Sequence, residues 1–408
     1  MTGRLVLDVA IIGGGTAGCA AALHLSRRGL SVGLFERRTA GSQASGVNFG
    51  GVREQGRDFA ELPLSRRARR IWDELPALIG GDGEFMASGH LKLSRSEDQM
   101  ASLEDFARGA ADHGLDIELV SGNRVRVDYP WLGPRVVGAS LCRSDGQANP
   151  RIVAPGFAQA ARRAGAHIFE HEAVCSAVRD AAGFHLETAR GRQVTAETLV
   201  NVAGAWAATV AGWFGEAVPI EAHSPSMQVT EPLPYRLRVN IGVAGGDIYA
   251  RQIPRGNLIF GGGHGWNDMT TITSRAGVDN LIGAMGRLTG ILPWTGGAHV
   301  IRTWSGIEGF TPDVSAAQVG RVLDEIPVMG PSLTTPGLIH AFGFSGHGFQ
   351  LGPAVGEVLA ELVLSGRSET PLAPFSIGRF AGGALAAPAQ AIRGGRDPNA
   401  AEKQGEPT

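Results

Sequence analysis

The chain holds 408 residues, 60 of them glycine, a share of about 15% against the ~7% usual in proteins. Apolar residues make up 43% and charged residues 19%, so a large core is within reach and wholesale disorder is excluded. The formal net charge is −2, and no basic run is long enough to follow a phosphate backbone, which speaks against nucleic-acid binding.

Two further counts narrow the class. Among the basic residues only Lys92 and Lys403 are lysines. Cys19, Cys142 and Cys175 have no paired spacing, so neither a disulfide framework nor a zinc site is indicated, and no metal is expected. No run reaches the ~18–20 apolar residues that span a bilayer. The expectation is a cytoplasmic protein without a transmembrane segment.

In chain order, Leu5–Ile12 is a short apolar run that ends in Gly13-Gly14-Gly15, as a buried parallel strand does. Residues 17–28 have helical spacing and stop at Gly29, and 31–35 reads as a second strand closed by Glu36-Arg37-Arg38. Together they make a strand–helix–strand unit. A loop rich in glycine and serine (39–51) precedes a helix at 64–78. Strands follow at 90–93 and 138–142, with a helix at 97–113 between them. A helix at 152–164 leads into strands at 166–180, 183–188 and 198–202. Residues 220–310 read as antiparallel strands with turns such as Pro254-Arg255-Gly256-Asn257, and 338–342 is a last apolar strand before a glycine-rich turn and a helix at 353–364. The Ala/Gly/Pro-rich tail, 381–408, is expected to be flexible.

Gly13 to Gly18 match the G-x-G-x-x-G pattern between strand and helix, and Glu36 ends the next strand. The first glycine permits a tight turn, the second lets a pyrophosphate approach the backbone, and the third lets helix and strand pack closely. The positive end of the helix faces the phosphates. Glu36 is placed to accept ribose hydroxyls, so the cofactor is FAD or NAD. A second glycine-rich turn before a helix, Gly343-Phe344-Ser345-Gly346-His347-Gly348-Phe349, is superfluous for NAD. It suits a flavin, whose reduction places negative charge near amides and a helix N-terminus.

With both ends in view, the chain resembles the FAD-dependent D-amino-acid oxidase superfamily, in the branch of glycine oxidase, sarcosine oxidase and the beta subunits of heteromeric amino-acid dehydrogenases. The motifs are Ile11–Gly18 with Glu36, Ala44-Ser45-Gly46, Val200–Trp206, Arg302–Gly306, Phe342–Gly352, and the closing signature from Pro374 to Phe380. The resemblance implies an α/β fold: a Rossmann-type FAD-binding domain interleaved with an α+β substrate domain on a mostly antiparallel sheet. The expected boundaries are 1–85, 144–219 and 326–380 for the first domain, and 86–143 and 220–325 for the second. It also implies that Gly13, Gly15, Thr16, Ala17, Gly18, Glu36, Arg37, Ser42, Ser45, Gly46, Val174, Ala203, Gly204, Trp206, Gly346, His347, Gly348, Phe349 and Gln350 hold FAD. No cysteine follows Cys175, so noncovalent FAD is expected.

The same resemblance implies oxidation of the CH–NH bond of a free, N-substituted or cyclic amino acid, by hydride transfer to flavin N5. Candidate substrate-binding residues are Arg53, Tyr249, Arg251, His264 and Gln350. Each arginine either holds a carboxylate or serves as a structural ion pair. Tyr249 and Arg251 share a strand face. Glu308 stands where glycine oxidase has a carboxylate-holding arginine, and it either meets a basic substrate group or faces solvent or a partner. No lysine lies at 258–263, where sarcosine oxidases carry an ammonium that activates oxygen, which points to a dehydrogenase. A 2-hydroxy acid substrate, and a role as the electron-transferring beta subunit of a complex, are the alternatives. The extra residues 314–325 are either a surface insertion, a lid or a partner contact.

Overall fold

The computed structural model describes residues 4–312 and 325–380. The expected flexible tail at 381–408 and all of the insertion but Glu325 lie outside the described residues. Two large sheets organise the chain. The first runs in the order Val328–Pro331, Leu338–Phe342, Gln193–Asn201, Leu5–Ile12 (β1), Val32–Phe35 (β2) and His167–Phe169. All its neighbours on that path are parallel except the outermost pair, Val328–Pro331 with Leu338–Phe342. The antiparallel strands Gly183–Thr188 and Val174–Asp180 extend it from Gln193–Asn201.

The second sheet runs Val300–Ser305, Pro225–Pro232, Asn257–His264, Tyr249–Gln252, Asn240–Val243, His90–Ser94, Gly138–Cys142 and Glu118–Val120. It is antiparallel throughout except where Asn240–Val243 lies parallel to His90–Ser94. The chain thus crosses between the two sheets several times, and a short ladder of Gly51–Val52 on Gly146–Gln147 ties the crossings together. The fold is a mixed α/β one.

The first sheet is covered by helix α1, Thr16–Ser26, and by the helices Pro150–Arg163, Leu62–Ile79 and Gly348–Ser365. α1 is almost wholly buried, which explains its alanine run at 20–22. A methyl group on Gly356 would stand 2.3 Å from the Ala20 side chain, so small residues on both helices let the backbones meet. Leu62–Ile79 buries Leu64, Ala68, Ile71, Trp72, Leu75 and Ile79 at spacings of three and four. Among the described residues, no helix is long and apolar enough to cross a membrane.

Three expectations need correction. The last helix starts at Gly348 rather than Pro353, because Pro353 sits early enough in the helix to forfeit a single amide bond. That places the free amides of its first turn inside the glycine motif. The strand expected over 166–180 is broken by a bend at which His171 donates its amide to Arg38 and Glu172 to Glu36. Within 220–310 a helix, Val278–Ile291, interrupts the strands. Gly283, Gly286 and Gly290 depress its helix propensity, yet Ala284, Leu288 and Ile291 pack on the sheet.

Candidate active site

At the C-terminal ends of the parallel strands lies a cavity of about 370 Å³, where open α/β sheets bind their ligands. The Gly13–Gly18 turn, the loop around Ser42 and Ser45, Val174, the Ala203–Trp206 segment and the Gly343–Phe349 motif line it. Gly13 has φ +118°, and a Cβ there would stand 2.4 Å from the Val202 carbonyl oxygen. Only glycine fits where β1 passes so close to its neighbour. Gly18 is equally constrained: a Cβ would meet the Gly13 oxygen at 2.1 Å.

Polar groups in this cavity are left waiting. Thr16 Oγ1 and Ser42 Oγ are buried without a hydrogen-bond partner, a state that costs about 1–3 kcal/mol each unless a ligand supplies the bond. Glu36 accepts the amides of Gly14 and Arg38, each at 2.8 Å, and presents its carboxylate to the cavity. The Arg37 guanidinium stacks over the Trp206 ring at 4.0 Å, framing that end. Ser45 Oγ accepts the Thr16 amide at 3.0 Å and so fixes the loop against the first turn of α1.

Of the expected cofactor residues, Gly13, Gly15, Thr16, Ala17, Gly18, Glu36, Arg37, Ser42, Ser45, Val174, Ala203, Gly204, Trp206, Gly346, Gly348 and Phe349 all line the cavity. Gly46, His347 and Gln350 do not. Gly46 packs on Gly41, where a Cβ would meet the carbonyl oxygen at 2.0 Å. Gln350 points the other way: its amide group bonds Ser65 Oγ and the Ser65 carbonyl, and its own carbonyl takes the Trp72 indole N–H. It joins two helices. His347 turns its ring away, with Nδ1 2.9 Å from Glu61 Oε2. Burial and the Arg57 charge push the imidazole down to about 4, against the opposing pull of Glu61. Burial opposes ionisation of Glu61, yet the bond to His347 and the nearby Arg57 keep it below its ordinary range.

The substrate candidates divide. Tyr249 and Arg251 both pack on Phe49, Tyr249 edge-on at 4.8 Å between ring centroids. Arg251 donates Nε to the Phe49 carbonyl (2.6 Å) and Nη1 to Gln147 (2.8 Å), so it clamps the loop that borders the cavity. It forms no ion pair among the described residues. His264 sits exposed at a strand end, against His223 (5.0 Å) and Phe310. Arg53 lies outside the cavity, beside Lys92 and behind Gly56.

Glu308 does line the cavity. Its strand, Glu308–Phe310, pairs with Glu221–His223, and its carboxylate comes to 4.0 Å of where a Cβ on Gly346 would stand. Burial alone pushes this carboxyl up to about 7, and the neighbouring Tyr249 phenol is pushed up beyond its ordinary range by burial and by Glu308. Sequence reasoning missed Asn48, Trp213, Ile307 and Ser345 as lining residues. Ser345 carried a signal, for it stands inside the glycine motif; it adopts φ +47° and accepts the Thr311 amide at 3.1 Å.

Such a cavity suits an extended dinucleotide, with ribose hydroxyls at Glu36, phosphates at the α1 N-terminus, and a ring system under the amides of the second helix. The class is that of FAD-binding proteins. The comparisons agree: residues 8–362 match the model of the FAD dependent oxidoreductase family, and the chain belongs to that family. Glycine oxidase of Geobacillus kaustophilus is 28% identical over 388 residues, covering 92% of this chain and 97% of that protein. A subunit of opine oxidase from Rhizobium meliloti is 25% identical, covering 92% and 98%. The solved structure of L-proline dehydrogenase from P. horikoshii superposes with a TM-score of 0.83 at 25% identity, covering 93% and 98%. The protein is an FAD-dependent oxidoreductase.

Proposed function

We propose that the protein oxidises the CH–NH bond of an amino acid, free, N-substituted or cyclic, and passes the electrons to an acceptor other than oxygen. The chemistry FAD supplies when bound is acceptance of a hydride at N5 from the carbon that bears nitrogen. The observation that carries the reading is Glu308, whose carboxyl is poised at about 7 on the wall of the FAD cavity. An amine arrives as an ammonium ion and must lose a proton before its carbon can release hydride. A carboxylate poised near neutrality pairs with the ammonium and takes that proton. A hydroxy acid brings a carboxylate but no ammonium to pair with Glu308, which disfavours that alternative.

The acceptor is inferred from the cavity walls. Among the described residues no lysine lines the cavity, and Lys92 lies on the far side of His347, so no described ammonium stands at the flavin to favour reaction with oxygen. The relatives named as the beta subunit of sarcosine oxidase and a subunit of opine oxidase support the presence of a partner subunit. The absence of Cys, His and Tyr from the described lining supports noncovalent FAD.

Anaerobic mixing with D-, L-, N-methyl and cyclic amino acids and with 2-hydroxy acids tests the substrate class. Bleaching of the flavin absorbance by an amino acid is expected. Bleaching by hydroxy acids alone would overturn the reading. The reduced protein should then reoxidise faster with a quinone or dye than with air; reoxidation by air at the faster rate would make it an oxidase.

A further inference from the structure

The loop that brings Ser42, Ser45 and Asn48 to the FAD cavity is held by both sheets. On the parallel side, the Gly41 amide donates to the Gly14 carbonyl at 2.9 Å, and Ser45 Oγ accepts the Thr16 amide. On the other side, its residues 47–49 lie against the second sheet. There Trp304, Met227, Gly261 and Tyr249 stand in register across four adjacent strands, so the four positions share one face. Arg251, two residues beyond Tyr249, shares it as well. Val47 meets this face at Trp304, and Phe49 meets it at Tyr249 and Arg251.

Two side chains of the face hold the loop by its backbone. Trp304 donates its indole N–H to the Val47 carbonyl at 2.7 Å, and Arg251 donates Nε to the Phe49 carbonyl at 2.6 Å. Close packing reinforces both points. A Cβ on Gly306 would stand 2.0 Å from Val47 Cγ2, and Tyr249 packs edge-on against Phe49. Between the two gripped carbonyls, Asn48 lines the cavity. Its Nδ2 donates to the Ala44 and Ser45 carbonyls, and its Oδ1 accepts the Gly50 amide at 2.7 Å.

Arg251 is itself firmly placed. It is 5% exposed, Nη1 donates to Gln147 Oε1 at 2.8 Å, and Gln147 Nε2 donates in turn to the Gln252 carbonyl at 3.2 Å. Gly50, at φ +83°, leaves room for Nη2, since a Cβ there would stand 2.6 Å from it. Burial pulls the guanidinium down to about 10. A charge buried at that cost is stabilised by the bonds it makes, and those bonds go to the loop and to Gln147. We infer that Trp304 and Arg251 are positioning residues for the cofactor: through the Val47 and Phe49 carbonyls they fix Asn48 and the serines of its loop, and so set how tightly FAD is retained. The coupling is reciprocal, so bound FAD also tightens the docking of this loop on the second sheet.

The test follows FAD release from the loaded protein, read as the rise in flavin fluorescence on dilution. No substrate is present, so the result is independent of the substrate assignment. Trp304→Phe keeps a ring and removes one N–H; it should release FAD at least about threefold faster, and Arg251→Met at least about tenfold faster. Because both side chains act on one loop, the double variant should fall short of the product of the two single effects. Hydrogen exchange of the loaded protein should quicken at amides 44–50 in each variant and stay unchanged along Asn257–His264. Trp304→Phe carries the test if Arg251→Met fails to fold. Unchanged FAD release in Trp304→Phe, fully multiplicative effects in the double variant, or exchange that quickens equally in the loop and along Asn257–His264 would overturn the inference.

Discussion

Replacing Glu308 with glutamine tests the reading of the site most directly, because the group is defined by its burial. A carboxyl raised from 4.5 to about 7 corresponds to about 3.4 kcal/mol, at 1.36 kcal/mol per pH unit. Water in the open cavity screens part of this, so about 2–3 kcal/mol is the working figure. The native state binds the Glu308 proton more tightly than the unfolded chain does. Stability therefore falls as pH rises from about 4.5 to about 7, and the deficit is constant above that. Glu308→Gln has no proton to lose and escapes the deficit. For a chain of 408 residues, 2–3 kcal/mol corresponds to about 2–4 °C in Tm.

The assay is thermal unfolding of the FAD-loaded protein without substrate, followed by circular dichroism at pH 5 and pH 8.5. The variant should melt about 2–4 °C above the parent at pH 8.5 and nearly with it at pH 5. Asp145, also pushed up to about 7 by burial, contributes equally to both proteins and cancels in the difference. Activity should move in the opposite direction: the variant, unable to pair with an ammonium, should lose kcat/KM by at least tenfold. A gap in Tm that is the same at both pH values would refute the placement of Glu308 as a buried, unpaired acid.

Thr16→Val and Ser42→Ala remove hydroxyls that have no partner in the protein. Each should raise the Kd for FAD about five- to tenfold, for about 1–1.5 kcal/mol per lost bond, while the flavin-free protein keeps its Tm; fluorescence titration with FAD checks this. Precipitation with trichloroacetic acid should leave all of the yellow colour in the supernatant, and a yellow pellet would mean a covalent bond.

The first strand–helix–strand unit was legible because its determinants are local. An apolar run, a glycine turn and an acidic residue at the end of β2 lie within about thirty positions, and the structure gives β1 as Leu5–Ile12. Gly283, Gly286 and Gly290 hid the helix Val278–Ile291 for an equally local reason, since glycine erases the propensity signal while the buried stripe remains. The side chains of the second glycine motif were not legible. Whether His347 faces flavin or turns to Glu61, and whether Gln350 meets a ligand or Ser65, depends on the packing of Leu62–Ile79 against Gly348–Ser365. Those helices are about 285 residues apart in sequence, and spacing within one motif does not report which neighbour waits outside it.

Lysine scarcity shows how far composition carries. It directed attention to the acceptor, and no lysine among the described residues lines the FAD cavity. It also made Lys92 look incidental, yet Lys92 stands in a second cavity with Arg57 and His347 and the carboxylates Asp58, Glu61 and Glu325. Arginine resists deprotonation when desolvated, whereas burial with Arg53 and Arg57 leaves the Lys92 ammonium at about 8, closer to losing its proton.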